Sequence, residues 1–131
     1  MPFDSTLWLL QSNDSSYPSG AYAHSFGLEE LVESGVVSNA ADLERFLEVQ
    51  VLPALLGFEV PFFARAHRAA NDQDLETLVS LDAELDAWRI AFETREASRR
   101  IGSQRLELLA TLDEEPFVVS FRAACPRGHH L

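Results

Sequence analysis

The chain has 131 residues with 21 acidic and 10 basic side chains, a formal charge of −11, and every basic residue is Arg. A pI near 4.6 disfavours nucleic acid and anionic membranes, which attract a positive footprint. At this length one domain is the default expectation, and 47% apolar content supplies a core.

Apolar spacing is helical almost throughout, with no alternating stretch that reads as a strand, so the expected class is all-α. Asp4 or Ser5 caps a short first helix carrying Leu7, Trp8, Leu9 and Leu10. The polar segment from Ser12 to Gly20 is a loop, and a second helix is expected from Ala21 to Ser34, with Gly35 as its left-handed cap. Asn39 with Asp42 forms a variant capping box that starts a third helix through Leu43, Phe46 and Leu47. Pro53 should kink or break it, and a new segment follows Pro61. The apolar stretch from Val51 to Ala66 is interrupted by Pro53, Gly57, Glu59, Pro61 and Arg65. It is shorter than the roughly 20 residues of a membrane span and reads as buried core.

After the polar turn at Asn71–Asp74, Leu78, Leu81, Leu85, Trp88 and Phe92 alternate at spacings of three and four, the seam of a helix packed along another. Ala97, Ile101, Leu108 and Leu112 continue the signal, with a break expected near Phe92–Thr94 and Gly102 permitting close approach of a neighbouring helix. Pro116 stops it, and a last apolar piece, Phe117 to Ala124, precedes a tail at 125–131 expected to be disordered.

Charge is segregated: six acids and no base lie between Asp72 and Asp86, whereas Arg89, Arg95, Arg99, Arg100 and Arg105 fall within 17 residues. Arg99 can pair with Glu96, three positions earlier on the same helix, or with Glu93, as an ordinary solvated helix face. Alternatively, the guanidinium cluster could grip carboxylates of another subunit. Ser25 beside His24 is not a catalytic dyad, because successive helical residues diverge by about 100°. Ser19-Gly20 and Gly27 lack the spacing and the Lys of a phosphate-binding loop. No catalytic residue, cofactor site or organised metal site emerges. Cys125, His129 and His130 have the donor types for a soft divalent metal but no evident scaffold. A single Cys fits a reducing, cytoplasmic setting, and Met1-Pro2-Phe3-Asp4 does not open a secretory signal. After the tight turn at Pro18 and Gly20, Tyr22, Phe26 and Glu29 fall on one flank of the second helix and form a candidate contact patch; alternatively, Tyr22 and Phe26 pack on the Trp8 helix.

Three blocks carry a resemblance. Leu9-Leu10-Gln11 followed by Tyr17-Pro18-Ser19-Gly20-Ala21-Tyr22-Ala23-His24-Ser25-Phe26-Gly27-Leu28-Glu29, then the run from Phe63 to Ala70, then the run from Thr94 to Gly102, are similar in order and content to the urease accessory protein UreF family. The resemblance implies a non-enzymatic, dimeric helical bundle. It would join a UreH/UreD-type scaffold and the UreG GTPase to deliver nickel to the urease apoprotein, controlling the GTPase or gating metal transfer. It places partner contacts at Tyr22, His24, Ser25, Phe26 and Glu29, with Arg95 and Arg99 on the Arg-rich helix. Family members are longer, so the chain is expected to be the N-terminal part of a longer protein, a truncated form or a divergent short version, without the family's C-terminal helices. Two alternatives accompany this reading: a direct nickel carrier through Cys125, His129 and His130, and a GTPase activator supplying an Arg from 95–105.

Overall fold

A computed structural model describes residues 5–14, 16–17, 27–112, 115–125 and 128–130. Among these residues there is no strand, and the protein is all-α. The helices are α1 (Ser5–Ser12), α2 (Leu28–Glu33), α3 (Ala40–Asn71), α4 (Leu75–Trp88), α5 (Phe92–Leu112) and α6 (Pro116–Ala124). By its internal contacts the chain divides into two compact units. One holds α1 with α4, α5 and α6; the other, residues 22–74, holds α2 and α3.

In the second unit, α2 ends in a turn at Gly35, whose φ of 76° is the left-handed value its position predicts. The start of α3 is the expected capping box. Asn39 Oδ1 accepts from the Ala41 and Asp42 N–H groups at 2.9 and 3.1 Å, and Asp42 Oδ2 accepts from the Ser38 N–H at 3.1 Å. These bonds satisfy donors that a helix start leaves open.

Beyond that start the structure departs from expectation. Neither Pro53 nor Pro61 breaks the helix; α3 runs 32 residues without interruption. A π turn precedes each proline, Leu47–Val51 and Leu55–Glu59. A proline ring clashes with the carbonyl four residues back, and a widened turn relieves that clash while leaving the chain helical. The stretch read as a short buried core is therefore part of a long helix, and it is largely exposed: Leu52 is 42%, Leu56 61% and Phe63 69% accessible. By length and composition alone α3 could cross a bilayer. Phe46, Phe62 and Ala69 are its buried side chains.

In the other unit, α4 buries Leu78, Leu81 and Leu85, as their spacing predicts. The seam ends there. Trp88 and Phe92, expected to extend it, are exposed because α4 stops at Trp88 and the chain turns before α5. On α5 the buried positions are Gly102 and Leu106. Glu115 caps α6, its carboxylate accepting from the Phe117 N–H at 3.1 Å, with Pro116 in the first turn where its missing N–H costs nothing. From there α6 packs on both α4 and α5 and buries Phe121.

Candidate functional site

The apolar face of α4 carries one charged residue. Asp82 follows Leu81 and lies one turn from Leu78 and Leu85, so the register that buries the leucines buries its carboxylate too, leaving it 5% exposed. Burial of that kind demands partners. They come from the segment after α6 that holds Gly128, His129 and His130.

At Gly128 the backbone takes a φ of 104°, and a Cβ there would crowd Ser103 Oγ and Arg99 Cβ. Both the conformation and the space require glycine. His129 and His130 are thereby laid across α5. Gly102 does permit a close approach, but of this segment's backbone and not of a helix: a Cβ at 102 would overlap the His129 carbonyl.

His129 is 3% exposed, its ring centroid 4.8 Å from that of Phe121. Its N–H donates to Ser103 Oγ at 3.2 Å, and Nε2 lies 3.1 Å from the Arg122 carbonyl. A carbonyl only accepts, so Nε2 carries the hydrogen, and Nδ1 is a buried lone pair with no hydrogen-bond partner. The His130 N–H donates to Asp82 Oδ1 at 2.6 Å, while its ring bridges Ser98 Oγ at 3.0 Å and Asp86 Oδ1 at 2.9 Å. Arg99 completes the network, with Nη2 2.6 Å from Asp86 Oδ1 and Nη1 2.5 Å from Glu96 Oε1.

Asp82, Cys125 and His129 each present a donor atom, and these three atoms lie within 4.8 Å of one another. A cavity of about 290 Å³ adjoins them, lined by Asp82, Asp86, Arg99, Cys125 and His130 among others. Burial, helped by the neighbouring Asp82 carboxylate, pushes the Cys125 thiol up to about 11. At neutral pH it is a protonated thiol and not an activated nucleophile. Burial lowers the His129 pKa from its ordinary value against the pull of Asp82. Burial also raises Asp86, but the His130 hydrogen bond and Arg99 outweigh it and hold the carboxyl below the usual range.

Of the residues singled out by sequence, Cys125 and His129 are brought together, whereas the His130 ring is committed to Ser98 and Asp86. Asp82 was missed. Its signal was a carboxylate at a leucine register, hidden inside an acidic run. Arg95 is half-buried, with Nη1 3.3 Å from the Arg89 carbonyl and its guanidinium 6.0 Å from the centroid of the Phe92 ring. Glu29 is exposed in the first turn of α2. Tyr22, His24, Ser25 and Phe26 lie outside the described residues.

The sequence profile of UreF matches residues 37–131. The chain belongs to the UreF family. Among curated relatives, the urease accessory protein UreF of Actinobacillus pleuropneumoniae is 33% identical over 116 residues, covering 88% of this chain and 51% of the relative. That of Nostoc sp. is 35% identical over 109 residues, covering 83% and 48%. That of Lachnoclostridium phytofermentans is 35% identical over 102 residues, covering 78% and 45%. The chain thus spans about half the length of the UreF relatives it matches. The profile match takes in α3 to α6, including every residue of the Asp82, Cys125 and His129 cluster.

Proposed function

We propose that this chain acts as an adaptor in urease maturation, with no catalytic activity of its own. It would assemble in the cytoplasm, as a homodimer, with a UreH/UreD-type scaffold, a UreG-type GTPase and the urease apoprotein. Its task there is to regulate the GTPase or gate the passage of nickel, the cargo. Family membership supports the setting. The observation that carries the adaptor role is the run of exposed apolar side chains along α3, where Leu47, Val49, Leu52, Leu55, Leu56, Val60 and Phe63 are all accessible. So many exposed large apolar side chains on one helix favour a protein contact. Glu48, Glu59 and Arg65 on the same helix favour a protein partner over lipid, since ionisable residues within a bilayer are costly.

Partner contacts are proposed at Tyr22, His24, Ser25, Phe26 and Glu29. Arg95 and Arg99 would have to exchange internal partners for a carboxylate of another subunit, which favours the signature region as the primary contact. Co-purification with the scaffold and the GTPase tests this: Tyr22→Ala should lose the complex, as should Leu56→Asp on the α3 face. Retention of the full complex by both variants would dismiss the reading.

A further inference from the structure

We propose that Asp82, Cys125 and His129 form a site for one borderline divalent transition-metal ion of the zinc or nickel class, with a fourth position opening toward the adjoining cavity. A thiolate, an imidazole and a carboxylate are the donor set such ions select, and three protein ligands plus an open position is the pattern of a site that exchanges what it holds. The donor atoms already lie within 4.8 Å of one another. Bonds of about 2.0–2.3 Å place tetrahedral ligands roughly 3.5 Å apart, so small side-chain rotations close the site.

The independent observation is the His129 ring. Its Nε2 hydrogen is spent on the Arg122 carbonyl, fixing the tautomer, and the Nδ1 lone pair is left buried and unpartnered. A carbonyl holding the far nitrogen is the arrangement that orients metal-bound histidines. Asp82 is supported in the same way by the His130 N–H. Charge also closes: one divalent cation with one carboxylate and one thiolate is neutral, which suits a buried site. The thiol proton must leave to solvent as the metal–sulfur bond forms, so binding releases one proton and weakens with acid.

The site differs from a loose Cys125–His129–His130 chelate, because the His130 ring is held by Asp86 and Ser98. Nor does it rest on the adaptor reading, since it concerns the chain without partners. Equilibrium dialysis of the intact chain against Zn²⁺ alone and Ni²⁺ alone tests it. One equivalent should bind at micromolar metal. Cys125→Ser and His129→Gln should each weaken binding by about 100-fold or more, while His130→Gln should retain it. Should a variant fail to fold, Co²⁺ added to the unaltered protein should give a thiolate charge-transfer band that stoichiometric Zn²⁺ removes. Absence of stoichiometric binding, a Co²⁺ spectrum without that band, or equal losses from His129→Gln and His130→Gln would overturn the proposal.

Discussion

The main-chain N–H of His130 reaches Asp82 Oδ1 at 2.6 Å, joining the last described segment to the centre of α4 across 48 positions of sequence. This bond answers a buried carboxylate with a peptide donor, so each group depends on the other. Asp82→Ala should leave that N–H unsatisfied and lower unfolding stability by about 2 kcal/mol, read by urea denaturation. A change below about 0.5 kcal/mol would mean that water replaces the carboxylate freely.

Two glycines should respond oppositely to the same substitution. At Gly102 an added methyl meets the His129 carbonyl, so Gly102→Ala should destabilise by about 1–3 kcal/mol. At Gly57, inside α3, an added methyl meets nothing within 4 Å, and Gly57→Ala should stabilise by about 0.5–1 kcal/mol. Thermal melts of the two variants compare them directly.

Stability should fall toward both ends of the pH scale. The folded state lowers the His129 pKa below 6.5, so the unfolded chain takes up that proton first and stability declines as pH drops below 6.5. Asp86, held below 3.8, adds a second loss in stronger acid as its contacts with Arg99 and His130 are protonated away. The Cys125 thiol is raised from 9.0 to about 11, so the unfolded chain ionises first and stability declines between those values. Melting temperature against pH should show all three limbs, with His129→Gln removing the first and Cys125→Ser the last.

Asn39→Ala removes the acceptor for two N–H groups at the start of α3 and an amide that donates to Asp42 Oδ2 at 2.8 Å. The expected cost is about 1 kcal/mol, measured by chemical denaturation. Asn39→Ser, which keeps an accepting oxygen, should recover most of it.

Residues that act through near neighbours were legible in the sequence. The Asn39 and Asp42 cap, the Gly35 turn, the Leu78–Leu81–Leu85 seam and the pairing of Arg99 with Glu96 all depend on spacings of a few residues. What the sequence hid was long-range. Trp88 and Phe92 keep the seam's spacing, but spacing cannot register that the helix has ended between them. Asp82 looked like one acid in an acidic run, and only the return of the chain at Gly128 turns it into an internal acceptor for His130 and a neighbour of Cys125 and His129. Pro53 and Pro61 were read by their usual effect, which the widened turns before them absorb.

Those widened turns also act as phase shifters. Each holds about one residue more than an α turn, which offsets the side chains beyond it by roughly 100° about the axis. The apolar positions of α3 therefore do not line up as a single uninterrupted helical wheel would place them; two successive offsets decide which of them share a side. Deleting one residue within Leu55–Glu59 would restore ordinary winding without shortening the helix appreciably. Because the residue removed is the surplus one, Phe62 and Ala69 would keep their place on the buried side, whereas a deletion in an ordinary α turn of the same helix would rotate them off it. The length of this segment, counted residue by residue, is as much a part of the surface it offers a partner as the identity of its leucines.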